Sequence, residues 1–260
     1  MIQPKLKSEE YYNTLQESLI TGGKLSEFEY KKVLKDLNND KSSPAICAIG
    51  YAHAIMGNNK DAINWFESYA PFADLFTLQG YGFLLRFLGH NRKLINLTLD
   101  YSDKFKDIWF SWMSMEYYYI IGDIVNSARK AREFLSMLPE NKNKECADYS
   151  IAQQLDSLSL VYSSGCCTPE QFKMVYDLTL DILDKHGYPF LYVELFYYEG
   201  EGASYEVGIS LDKEDFTTLS RLNDELIKRM IKIKELDTCE VTPCFSEGGM
   251  SNWRYIHAAK

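Results

Sequence analysis

The sequence predicts an α+β chain in which N-terminal α-helical hairpin repeats precede a small antiparallel β-β-α-β-β domain. Three observations predict it. Glycine breaks recur at a near-constant interval, with Gly23, Gly57, Gly89 and Gly122 separated by 34, 32 and 33 residues, and each divides two amphipathic segments. After Gly187 the pattern changes from helical spacing to strand-like alternation. At 260 residues the chain is long enough to bury a substantial core, as one long domain or two short ones. The helical repeats are placed at 1–186 and the α+β module at 187–260.

The helical pairs read as 8–20 with 25–37, 44–56 with 60–70, 75–88 with 92–104, and 108–121 with 124–137. A fifth pair, 147–163 with 169–185, lies around Gly165. Hairpins of this length cannot bury their apolar faces alone, so neighbours must stack.

The stretch "GYAHAIMGNNKDAINWF" (50–66) resembles a tetratricopeptide repeat, a helix-turn-helix unit of about 34 residues. With Gly57 at the turn, Ile49-Gly50 fall at the Leu-Gly positions, Ala62 at the small residue of the second helix and Phe66 at its aromatic. Gly50 and Ala62 would let the helices approach closely while Phe66 fills the gap toward the next hairpin. His53 stands where the family prefers Tyr. Gly82 and Gly89 repeat the glycine positions in the next unit, but Leu94 and Thr98 replace the small residue and the aromatic. In the third unit Gly122 fits, Met115 and Ser127 hold the small sites, and Pro139 closes the hairpin. The resemblance covers about residues 44–139.

In the tail, "YPFLYVELFYY" (188–198) is rich in strand formers. "SYEVGISL" (204–211) alternates Tyr205, Val207, Ile209 and Leu211 against Glu206, Gly208 and Ser210. Glu199-Gly200-Glu201-Gly202 supplies the turn between them. Asp212 is placed to cap a helix over 213–236, whose apolar positions Phe216, Leu219, Leu222, Leu226, Met230 and Ile233 follow helical spacing. Two further strands are expected at 238–245 and 252–258. One helix covering one face of a four-stranded sheet forms a viable small core.

Composition bounds the function. Hydrophobic residues make up 46% and charged residues 25%, as in ordinary soluble domains. No apolar run is long enough for a membrane span, and the start lacks the apolar block of a secretory signal, so cytoplasmic residence is expected. A net charge of −9 argues against nucleic acid, which demands a basic footprint. It suits solubility, or a basic partner met with electrostatic steering. The six cysteines are scattered and reduced thiols are expected. Cys166-Cys167 adjacency strains a direct disulfide. Cys239 and Cys244 have a loosely metal-like spacing, with no second pair to complete four ligands, so no metal or other cofactor is implied.

The tetratricopeptide resemblance implies that the first helix of each hairpin lines a concave face. Its groove positions fall on Cys47, Tyr51 and Ile55; on Gln79, Phe83, Arg86 and Phe87; and on Trp109, Trp112, Glu116 and Tyr119. Such an aromatic trough would take a peptide or helix with apolar anchors, with Arg86 available for a carboxylate. The alternative is a closed array with these rings buried against each other or the tail. Catalytic signals are thin: Glu194 with Glu206 on paired strands for acid–base work, or His257 with Cys244 or Cys239 as base and nucleophile. No glycine-rich phosphate loop is present, because "EGEG" joins two strands and carries repelling carboxylates. The expectation is a non-enzymatic protein that binds a protein or peptide partner. The alternatives are an inhibitor of the immunity-protein type covering a basic toxin or nuclease site, a small enzyme or ligand-binding domain in the tail, and self-association through the end of the array.

Overall fold

A computed structural model describes residues 7–209 and 216–247. They fall into two compact units that divide between Leu88 and Gly89.

The first unit holds α1 (Lys7–Thr21), α2 (Glu27–Leu37), α3 (Ser43–Ile55), α4 (Asn59–Tyr69), a 3-10 turn at Ala70–Phe72, and α5 (Leu75–Phe87). Local chemistry sets the boundaries. Ser26 and Glu29 form a reciprocal capping box at the start of α2, and Asp74 caps α5 by accepting from the Thr77 amide. At the end of α1 the left-handed residue is Gly22 (φ 68°), while the Gly23 amide donates back to the Ser18 carbonyl. Gly57 (φ 79°) turns α3 into α4. Helix α3 is apolar nearly all round, as a central helix must be, and packs against α1, α2, α4 and α5. Gly50 is indispensable to that packing, since a Cβ there would lie 2.2 Å from the Phe66 ring. Phe66 in turn stacks on Tyr81 of α5 at 5.1 Å.

The second unit continues with α6 (Asn91–Tyr101), α7 (Ile108–Ile120), α8 (Ile124–Met137), α9 (Lys142–Ser163) and α10 (Pro169–His186). It ends with β1 (Phe190–Tyr198), β2 (Gly202–Ile209), α11 (Phe216–Met230) and β3 (Val241–Glu247). Left-handed Gly89, Gly122 and Gly165 separate the helices, and Gly187 ends α10. Thr168 and Gln171 form a second capping box at the start of α10. The asparagine opening α6 ties this unit together. Its side chain donates to Asp184 and to the carbonyls of Gly89 and Tyr188, and accepts from the Phe190 amide, joining α6, α10 and β1.

The α+β class matches the expectation, but the sheet is not antiparallel. β1 and β2 form the antiparallel hairpin, with Glu194 opposite Glu206, whereas β3 runs parallel to β2, with Glu206 beside Cys244. The cause is the helix between them: α11 crosses over and returns the chain to the end where β2 began, so the next strand runs in the same direction. The expected fourth strand at 252–258 and the Asp212 cap lie outside the described residues. Helix α11 stops at Met230, followed by a 3-10 turn at Lys234–Leu236. One sheet face, built from Val193, Leu195, Tyr205, Val207, Val241 and Phe245, is buried. Tyr205 meets Phe172 of α10 edge-to-face at 5.4 Å and donates to the Ile120 carbonyl of α7. No described helix is long and apolar enough to cross a membrane.

Candidate functional site

The expected trough residues have different fates in the two units. In the first, Tyr51 is fully buried in α3 and its hydroxyl donates to the Gly80 carbonyl. It is roofed rather than open: Tyr12 of α1 lies 4.9 Å from Phe76 of α5, and both Tyr12 and Phe83 pack on the Tyr51 ring. Tyr51 therefore offers no surface to a partner, and Cys47 beside it is buried too. The outer side of α5 is different. Phe76, Phe83 and Phe87 stand at i, i+7 and i+11, which places them in one stripe along the helix. Gln79 and Arg86 flank it, both half-buried. Phe76 is 37% exposed and Phe87 44%, and Phe72 in the preceding turn is 89% exposed. The spacing of Phe76 was visible in the sequence, but the repeat frame did not select it.

In the second unit the corresponding face of α7 is occupied by the chain itself. Trp112 is half-buried and packs on a cluster of Met115, Ala131 and Ile151, with Leu155 of α9 alongside. Glu116 hydrogen-bonds Gln154 of α9. Burial of its carboxyl pushes its pKa up to about 7, because the charged form loses water without gaining a cation. Tyr119 is buried, with its hydroxyl bonded to the Leu195 backbone of β1. Burial raises its pKa, and the nearby Glu116 adds to the effect. Trp109 is half-buried and meets the Phe110 ring at 4.9 Å. Trp112, Glu116 and Tyr119 thus take part in the packing of α7 against α9 and β1.

The outer face of the sheet carries a polar rung across all three described strands: Glu194, Glu206 and Cys244. Tyr192 lies across Gly208, where a Cβ would sit 2.1 Å from its ring, and its hydroxyl donates to Glu206 at 3.2 Å. The same hydroxyl is 3.0 Å from Ser246 Oγ. Burial, then the neighbouring Glu206 carboxylate, raises the pKa of Glu194. The rung therefore sets a carboxyl with a raised pKa beside a carboxylate that accepts from Tyr192. Cys244 is not activated, since burial raises its thiol pKa and the Glu206 charge adds to the effect.

The histidines do not converge. His53 accepts from or donates to Tyr30 at 3.0 Å, and His186 meets Glu225 of α11 at 2.9 Å. Glu225 also bonds Lys185 and Arg229, and these partners hold its carboxyl down to about 2. His257 lies outside the described residues, so its pairing with Cys244 or Cys239 is not described. No cluster of three metal-ligating side chains exists among the described residues. Comparison with family models, with curated proteins and with solved structures finds no match.

Proposed function

We propose that this chain is a non-enzymatic interaction protein that takes an apolar segment of a partner protein along the outer side of α5. One observation supports this most: α5 keeps Phe76 and Phe87 exposed in a single stripe, with Phe72 exposed just before it, while its opposite face is packed into the core. Contiguous exposed aromatics of this kind mark recognition surfaces, and an apolar helix or strand laid along them gains burial at little ordering cost to the receptor. Half-buried Phe83 supplies the floor, and Gln79 supplies amide hydrogen bonds at the rim. In the tetratricopeptide-like frame this is the inner helix of a hairpin, the position that such arrays commonly turn to a ligand.

The test is retention of a partner from lysate by the wild type and by Phe76→Glu/Phe87→Glu, each checked for helical content. Support requires that one protein be held by the wild type, be lost by the double variant, and rebind when purified. The reading is overturned if the double variant holds the same protein equally.

A second reading, the inhibitor of a basic toxin or nuclease, draws on charge. Nearly all of the chain's net negative charge is carried by residues 89–260. A partner gripped by that charge would associate more slowly as salt is raised, whereas one held at α5 would not.

A further inference from the structure

The turn between α9 and α10, Ser164-Gly165-Cys166-Cys167, meets the segment that leads into β3, and it brings together two cysteines 72 positions apart in the chain. Both flanks of the meeting are anchored. Gln171 donates to the Glu235 carbonyl at 2.7 Å and to Thr238 Oγ1 at 3.0 Å. The Glu240 amide donates to the Cys166 carbonyl at 2.7 Å, and the Glu240 carbonyl accepts from Ala203 of β2 at 2.8 Å. Cys239 sits between these anchors, and its thiol and that of Cys167 are close enough to shift each other's protonation. Cys167 is 5% exposed, whereas Cys239 is half-buried, so Cys239 is the more accessible of the two to solvent.

We propose that Cys167 and Cys239 form a reactive dithiol that a hydroperoxide converts to an intramolecular disulfide, with Cys239 as the attacking sulfur and Cys167 as the resolving one.

The chemistry balances within the pair and the oxidant. The Cys239 thiolate attacks the distal oxygen of the hydroperoxide; an S–O bond forms, the O–O bond breaks, and the departing alkoxide takes a proton to leave as alcohol. Cys167 then attacks the Cys239 sulfur; the S–S bond forms, the S–O bond breaks, and hydroxide leaves with the Cys167 proton as water. Two thiols lose two electrons and two protons, and the hydroperoxide is reduced to alcohol and water.

The exposure contrast and two further features of the structure assign these roles. The neighbouring Cys167 thiol stabilises the Cys239 thiolate and lowers its pKa, outweighing burial and the nearby Glu240 charge. The same interaction keeps the proton on Cys167 until Cys239 is oxidised, and burial acts in the same direction. By contrast, Cys47 and Cys244 are raised by burial. Cys146 is exposed on α9, away from this meeting point, and serves as the internal standard.

The experiment is peptide mapping without reductant after exposing the folded full chain to limiting hydrogen peroxide, with differential alkylation of the remaining thiols. The expected result is one cross-link, Cys167 to Cys239, formed about tenfold faster than Cys146 is consumed. In Cys167→Ser, oxidation stops at a sulfenic acid on Cys239 that a 1,3-dicarbonyl reagent captures; in Cys239→Ser the fast phase disappears. The proposal is overturned if Cys146 reacts first, if the cross-link joins Cys166 instead, or if sulfenic acid persists on Cys239 in the wild type. The wild-type map decides these outcomes even where a variant fails to fold. In denaturant the pairing should lose its selectivity, because the Gln171 and Glu240 hydrogen bonds that aim the two sulfurs are gone.

Discussion

Helices α5 and α7 were expected to play one part, yet they end in opposite situations. On α7 the aromatic and acidic positions Trp112, Glu116 and Tyr119 are covered by α9 and β1 of the same unit. On α5 the stripe of Phe76, Phe83 and Phe87 is left partly open, and only Tyr51 behind it is sealed. An aromatic face at helical spacing is thus equally fit to be core or to be a docking surface. What decides is whether later chain returns to cover it. The second unit has α9, α10 and the sheet to do so, and they include β1, whose Leu195 backbone reaches Tyr119.

That contrast can be broken experimentally, beginning with the largest effect. Asn91→Ala removes four side-chain hydrogen bonds that join α6, α10 and β1, so the second unit should lose about 2–4 kcal/mol. Urea unfolding reports this through Trp109 and Trp112, while a helical probe placed in the first unit should keep its midpoint. A common shift of both would show that the units unfold as one and that α5 shares in the second unit's stability.

Trp112→Ala should cost about 2–3 kcal/mol, less than a fully buried tryptophan because the ring is half-buried. A cost near zero would mean that the α7 face is not packed by α9 and remains available to a partner.

Glu116 gives the contrast a pH signature. Its carboxyl keeps its proton in the folded chain up to about 7, whereas in the unfolded chain it ionises in the ordinary carboxyl range. The native state therefore holds more protons across that window, and stability falls as pH rises through it. Glu116→Gln abolishes this slope: stability should rise by about 1–3 kcal/mol at about pH 8 and stay unchanged at about pH 4. Chemical denaturation at the two pH values checks it, and an equal effect at both would point to a solvated carboxylate instead.

The smallest effect is expected at Phe87→Ser, within about 0.5 kcal/mol, since 44% of the residue is already exposed. Partner retention, and not stability, is the quantity that should change there. If thermal unfolding shifts by several degrees instead, Phe87 is core and the docking surface shrinks to Phe72 and Phe76.

Much of the local structure was legible in the residues. Gly57, Gly89, Gly122, Gly165 and Gly187 all adopt left-handed φ at helix ends, and Ser26, Asp74, Asp107 and Thr168 cap the helices that follow. These are short-range effects, decided within a turn of backbone by sterics and unpaired amides, so the predicted helices before β1 begin and end close to where periodicity placed them, except that α9 starts at Lys142 and not at 147. The β1–β2 hairpin was readable for the same reason, because its turn and its alternation adjoin.

Tertiary structure alone decided the rest. The parallel direction of β3 depends on where α11 packs, which no alternation within residues 238–245 encodes. The covering of α7, the role of Asn91 and the meeting of Cys167 with Cys239 each join residues about 40 to 100 positions apart. A local pattern states that a face is apolar or that a side chain is polar. Which distant segment satisfies it is set by the packing of whole helices and strands against one another, where burial, close approach and hydrogen-bond completion are met together.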